Sequence, residues 1–202
     1  MTCGGLCPGL NVVIREITMC LRHNYGVQEV YGIKWGYRGF YEDFPSNWIE
    51  LTDERVATIH NDGGTILGSS RGGFDADLIL KAIIKKRIDH LYCIGGDGTH
   101  RGIAELAKEI RRRRLKICLV GVPKTIDNDI PLIDYSFGFE TAVRVAEMIS
   151  ETANREADAA QNGVGLVKLM GRHAGYIAQN ATLASRDVNF CLVPEIPFEL
   201  YG

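Results

Sequence analysis

The chain has 202 residues, 46% hydrophobic and 24% charged, with a formal net charge of −2. That balance belongs to an ordinary globular protein, long enough to bury a sizeable core as one large domain or two small ones. A charge this close to neutral excludes a global basic field for nucleic acid or acidic membrane, so an anionic ligand must be held by local groups.

The opening Thr2-Cys3-Gly4-Gly5-Leu6-Cys7-Pro8-Gly9 reads as a phosphate-facing strand-to-helix turn whose strand is missing, and Gly202 is expected to be a cut edge as well. Leu10–His23 follows with helical spacing, then Val27–Ile33 as the first expected strand. The loop from Gly63 to Gly73 is built of small residues around a single cation, Arg71. Such an Arg can reach a phosphate or stack on a base, and an ordinary surface loop is the other reading.

After a helix over Ala76–Lys86, the apolar strand Leu91–Ile94 runs into Gly95-Gly96-Asp97-Gly98-Thr99 and a helix over Thr99–Arg113. Glycines here let a backbone approach a polyphosphate, helix-start amides face its charge, and Asp97 can hold a magnesium ion. A plain glycine-rich turn with an Asp cap is the alternative. The sequence carries no G-x-x-x-x-G-K-[ST] segment, but NAD kinases and diacylglycerol-type lipid kinases have a similar glycine turn. The basic run Arg111–Arg114 with Lys116 closes the helix, where cations suit the negative dipole end; an effector or partner site is the rival reading.

The strand Ile117–Val120 leads into Pro123-Lys124-Thr125-Ile126-Asp127-Asn128-Asp129. Two carboxylates at alternate positions suit phosphoryl transfer, one accepting an alcohol proton and the other acting through metal or charge. Asn and Asp also form ordinary turns. Phe139–Asn154 is helical by spacing. Val164–Leu169 is expected to be a strand, followed by Leu169-Met170-Gly171-Arg172-His173-Ala174-Gly175 and a helix over His173–Ala184. Arg172 at a helix start could stabilise a transferring phosphoryl group, or be a surface cation with Met170 in the core. Asn189–Val193 is the last expected strand. Apolar strands alternating with helices predict an α/β, Rossmann-like doubly wound and mostly parallel sheet, with ligands at the strand-to-helix turns.

These five segments, in this order and spacing, resemble the phosphofructokinase family over essentially the whole chain. The resemblance implies two α/β domains, here 1–137 for the nucleotide half and 138–202 for the start of an incomplete sugar-phosphate half. It implies ATP-dependent phosphorylation of fructose 6-phosphate to fructose 1,6-bisphosphate in glycolysis, by direct in-line transfer with Mg2+. Gly4, Tyr37, Arg71, Gly72, Gly96, Asp97, Gly98 and Thr99 would line the ATP site, with Asp97 on the metal. Thr125 and Asp127 would meet the sugar, with Asp127 the base. Met170, Gly171 and Arg172 would hold its phosphate, with Arg172 on the transition state and Asp129 assisting.

Gly98 and Lys124 would set donor choice. Pyrophosphate-using relatives carry an Asp where Gly98 stands, which leaves room here for an α-phosphate. Lys124 points the other way, because pyrophosphate enzymes usually have Lys there. The pair resembles the plant-type branch, as do Gly36-Tyr37-Arg38-Gly39-Phe40-Tyr41 and Leu183-Ala184-Ser185-Arg186-Asp187. A pyrophosphate-dependent enzyme and a truncated, non-catalytic member are the alternatives. Gly163 replaces an Arg that in bacterial members reaches a neighbouring subunit, and further sugar-contacting residues are expected beyond Gly202. Allosteric control and a homo-oligomer, dimer or tetramer, are implied for the full-length enzyme.

The six cysteines form no C-x-x-C pair, and Cys93, Cys118 and Cys191 sit in apolar runs where a free thiol packs as a small hydrophobe. Reduced thiols, with no signal sequence or long apolar run in the chain, point to the cytosol, or to a plastid if a transit peptide has been removed.

Overall fold

The computed structural model describes residues 1–43, 45–199 and 201. They divide into two compact units, Met1–Lys124 and Thr125–Gly202, so the expected boundary at residue 137 lies inside the second unit.

In the first unit, α1 (Leu10–Met19) continues into a π turn over Cys20–Asn24. Then come β1 (Tyr31–Ile33), a 3-10 turn over Gly36–Phe40, β2 (Trp48–Glu50) and the short α2 (Asp53–Val56). After a second 3-10 turn, α3 (Ala76–Lys85), β3 (His90–Gly95), α4 (Asp97–Arg112) and β4 (Cys118–Pro123) complete the unit. β3 and β4 pair in parallel, Leu91 opposite Leu119 and Gly95 opposite Pro123. Thr2 bridges Ile94, also in parallel, which brings the opening turn to the same end of the sheet as the glycine turn after β3. β1 pairs antiparallel with β2, a strand absent from the sequence expectations, and occupies only the end of the expected Val27–Ile33.

The core explains why this half folds. Ile79, Leu80 and Ile83 of α3, Leu91 and Cys93 of β3, and Leu106 and Ile110 of α4 are buried together with Phe40 and Trp48. In α4 the buried residues Thr99, Gly102, Leu106 and Ile110 recur every three or four positions, which gives the helix one apolar face. Its wet face carries the basic run. Arg112 pairs with Glu109 at 2.6 Å, and Arg113 with Glu109 and Asp77, so these two cations are spent on local ion pairs at a solvated helix end.

The second unit holds α5 (Phe139–Asp158) and α6 (Tyr176–Ser185). Phe139 and Ala146 of α5 meet Ile177 and Ala181 of α6, with Ile126, Val143 and Leu169 packed around them. The expected strands Val164–Leu169 and Asn189–Val193 are not strands here. Both run without regular pairing, with Val164 and Leu166 each 89% exposed. A strand exists only where a neighbour takes its amides and carbonyls, and among the described residues of this unit neither segment has one. α6 begins at Tyr176 rather than His173, so Arg172 lies in the loop before it. None of the six cysteines is in a disulfide; Cys93 is buried as expected, whereas Cys118 and Cys191 are exposed, the latter in the unpaired segment.

Candidate active site

In the first unit the site grows from the ends of β3 and β4. Gly96 is the N-cap of α4 in extended conformation, so Asp97 and Gly98 lie in the first turn of the helix, where a carboxylate suits the positive dipole end. Asp97 is exposed and pairs with Arg101 at 2.7 Å. An added side chain at Gly98 would meet nothing within 4 Å, so open space flanks the helix start. Thr99 is buried, and its carbonyl accepts the Tyr37 hydroxyl at 2.8 Å. Tyr37 is itself buried and edge-on to Phe74, so its hydroxyl is spent beneath the helix start, and burial pushes its pKa far up.

The opening turn is fastened to the Gly63–Gly73 loop. Gly4 N–H donates to the Ser70 carbonyl at 3.0 Å, and the Ser69 hydroxyl donates to the Gly4 carbonyl at 2.6 Å. These bonds hold Arg71 over Gly5, its guanidinium 3.7 Å from where a Gly5 side chain would start. Arg71 and Gly72 are both exposed.

From the other side Lys124, only 5% exposed, donates from Nζ to the Gly5 carbonyl at 2.7 Å, while its backbone N–H donates to the Gly95 carbonyl. Burial lowers the Lys124 pKa, and the neighbouring Arg71 charge adds to the effect. Gly4, Arg71, Gly72, Lys124, Gly96, Asp97 and Gly98 are thereby gathered at one end of the sheet. Tyr37 and Thr99 stand behind that surface.

In the second unit, the 125–138 loop is bonded to itself. Asn128, at φ 53°, donates to the Asp134 carbonyl at 2.9 Å and accepts from Ser136 N–H at 2.8 Å. The Ser136 hydroxyl donates to the Thr125 carbonyl, and Asp127 N–H donates to the Thr125 hydroxyl oxygen. Thr125 itself reaches Asp129 at 3.4 Å. The two carboxylates at 127 and 129 are presented by this closed loop, with Asp129 exposed and Asp127 half-buried. The Asp127 pKa is raised, first by burial and then by the Asp129 charge, against the pull of Arg172. Arg172 is therefore within electrostatic reach of Asp127.

Met170 is exposed, not core. Gly171 has φ 123°, and a side chain there would strike the Ala174 carbonyl oxygen at 2.5 Å, so only glycine fits this bend.

Two residues escaped the sequence reading. Ser136 closes the carboxylate loop; nothing in its local sequence distinguishes it. Glu195 accepts from Gly175 N–H at 2.8 Å, placing a carboxylate at the start of α6 directly after the Met170–Arg172 bend. Its signal was the Pro194-Glu195-Ile196-Pro197 segment, rigid on both sides of one acid.

An α/β unit with glycine turns running into helices at the ends of parallel strands belongs to the doubly wound class. A family model for phosphofructokinase matches residues 1–202. The chain belongs to the phosphofructokinase family. It is 57% identical over 202 residues to ATP-dependent 6-phosphofructokinase 7 of Arabidopsis thaliana, covering all of this chain and 41% of that protein. With ATP-dependent 6-phosphofructokinase of Borreliella burgdorferi it is 50% identical over 201 residues, covering 100% and 45%. The chain thus spans less than half the length of these relatives. Among solved structures, the pyrophosphate-dependent phosphofructokinase from Marinobacter aquaeolei superposes with a TM-score of 0.78 at 24% identity, over 98% of this chain and 53% of that one. The T-state phosphofructokinase of Pichia pastoris gives 0.75 at 24% identity, over 92% and 21%. These likenesses establish the α/β phosphofructokinase fold.

Proposed function

We infer that this polypeptide carries the donor groups and the first acceptor groups of an ATP-dependent 6-phosphofructokinase. The observation that carries the reading is the half-buried Asp127, its pKa raised and Arg172 within electrostatic reach. A carboxylate of raised pKa is a stronger base, suited to take the 1-hydroxyl proton of fructose 6-phosphate as the oxygen attacks. Arg172 offers charge to the transferring phosphoryl group and to the sugar phosphate, which would also lie against Met170 and Gly171. Thr125 orients the sugar, and Asp129 keeps the Asp127 pKa high.

On the donor side, Gly4, Arg71, Gly72, Gly96, Asp97 and Gly98 hold the nucleotide's phosphates, with Tyr37 and Thr99 supporting them from behind. The open space at Gly98 favours ATP, because it admits an α-phosphate and brings no competing charge. Lys124 bears on donor choice through the Gly5 turn it holds. Among the described residues no cluster of three or more His, Cys, Asp or Glu could hold a metal ion by itself. One exposed carboxylate beside a phosphate turn nevertheless fits Mg2+, which takes its remaining ligands from phosphate and water. Asp97 would hold it after releasing Arg101, and the ion would neutralise developing phosphate charge.

A Gly98→Asp substitution tests the donor assignment: turnover with ATP should fall steeply while the fold persists. Unchanged ATP kinetics would refute it. In the full-length protein a homo-oligomer is expected, and a cytosolic or plastid address.

A further inference from the structure

Asn11 is a buried amide in the first turn of α1, only 3% exposed. The helix starts where the opening turn ends, at its N-cap Gly9, so Asn11 takes its place from that turn. Its side chain reaches across to the Gly63–Gly73 loop. Nδ2 donates to the Asp62 carbonyl at 3.0 Å, and Oδ1 accepts from Ile66 N–H at 2.8 Å. One amide thus pairs with the main chain at both ends of the segment 62–66, as a neighbouring strand would. Gly63 and Gly64 lie between those ends, and a side chain at either would meet nothing within 4 Å. With open space on both glycines, packing does not shape this bend. Glycine backbone is the freest to rotate, and the two Asn11 bonds hold it.

From Ile66 the fastening continues toward the donor turn. The buried Thr2 hydroxyl donates to the Gly68 carbonyl at 2.6 Å and lies 3.2 Å from the Thr65 hydroxyl. Ser69 and Ser70 then bond Gly4, and the next residue, Arg71, stands over Gly5. Arg71 is exposed, so the backbone beneath it, and not burial, sets its place. Asn11 acts on the start of that backbone, with its own polar atoms engaged by Asp62 and Ile66.

We propose that Asn11 is a positioning residue of the donor site: it sets the course of the Gly63–Gly73 loop and, through it, the placement of the Arg71 guanidinium over the Gly4–Gly5 turn. The inference rests on the nucleotide reading of the Gly4–Arg71 surface. A guanidinium recognises phosphate through directed, paired N–H bonds, so a small displacement removes much of its effect. A residue that acts through another loses its influence once that other is gone. One that only stabilises the fold does not.

A double-mutant cycle separates these two roles. The purified chain and its Asn11→Ala, Arg71→Ala and doubly substituted variants are titrated with Mg-ATP by calorimetry, and each is melted without ligand. Arg71→Ala should weaken ATP binding about ten-fold, and Asn11→Ala should approach that loss. In the Arg71→Ala background, Asn11→Ala should cost little further affinity yet lower the melting temperature as much as it does alone. Asn11→Asp keeps the acceptor for Ile66 N–H and loses the donor to Asp62, so its loss of affinity should be smaller. It takes the place of Asn11→Ala in the cycle if the alanine variant does not fold. Affinity losses that simply multiply in the double variant would overturn the positioning role while leaving the nucleotide site standing. So would unchanged ATP affinity in a folded Asn11 variant or in Arg71→Ala. Failure of both Asn11 variants to fold would make the residue a determinant of the fold and refute a separate role. If the unsubstituted chain does not bind ATP, the donor-site reading falls and this inference with it.

Discussion

At the residue scale, the proposed chemistry rests on a carboxylate placed where it resists ionisation. Burial and the Asp129 charge both raise the Asp127 pKa, and Arg172 opposes them. A base must be ionised to work, so kcat should fall on the acid side with a midpoint above that of an ordinary aspartate. Arg172→Ala removes the opposing charge and should move that midpoint further up, besides lowering kcat; a pH–rate profile of both proteins checks the sign. Stability follows the same linkage with its own direction. The folded state binds the Asp127 proton more tightly than the unfolded chain, so this group's contribution is fully present below the ordinary aspartate pKa. It is lost as pH rises through the raised value. Asp127→Asn should flatten that component in urea titrations across the acid range.

The same scale shows how far residue types alone could be read. The carboxylates, Arg71, Asp97 and the Met170–Arg172 bend could be named as candidates because their types and spacing suit a chemistry. Tyr37 could be named as a candidate only through resemblance. Its burial, and the bond to the Thr99 carbonyl, come from packing across the unit that no local spacing encodes.

At the scale of elements, the site depends on turns that hold themselves. Asn128 tolerates a left-handed conformation and bonds both sides of the 125–138 loop. Asn128→Ala loses three side-chain hydrogen bonds and adds backbone strain, which should destabilise the second unit by roughly 2 kcal/mol. Asn128→Gly relieves the strain but not the bonds and should fall between the two in thermal melting. Equal melting temperatures for all three would show that the loop is held elsewhere. Helices were the elements best read from sequence, since their amphipathic spacing is local: α3, α4, α5 and the start of α1 fall close to expectation. Strands depend on partners distant in sequence. Leu91–Ile94 and Ile117–Val120 found each other, whereas Val164–Leu169 and Asn189–Val193 have apolar patterns but no paired neighbour among the described residues.

At the scale of the whole molecule, the two units differ in how they spend their apolar residues. The first buries most of its large side chains in one cluster under α3, β3 and α4. The second has a smaller core between α5 and α6 and leaves Val164, Leu166, Phe190 and Phe198 more than half exposed. No helix among the described residues is long and apolar enough to cross a membrane. Family membership rests on the match over all 202 residues, and the reaction is the proposal to be tested.

That reaction can be measured directly. The purified protein is given ATP, Mg2+ and fructose 6-phosphate, and formation of fructose 1,6-bisphosphate is followed by a coupled assay beside the Asp127→Ser variant. Pyrophosphate replaces ATP in a parallel series. The expected result is ATP consumption that requires fructose 6-phosphate and exceeds any turnover with pyrophosphate. In the variant kcat should drop by roughly two to four powers of ten, with little change in the KM for the sugar phosphate. No sugar-dependent ATP consumption, a preference for pyrophosphate, or full kcat in Asp127→Ser would contradict the account.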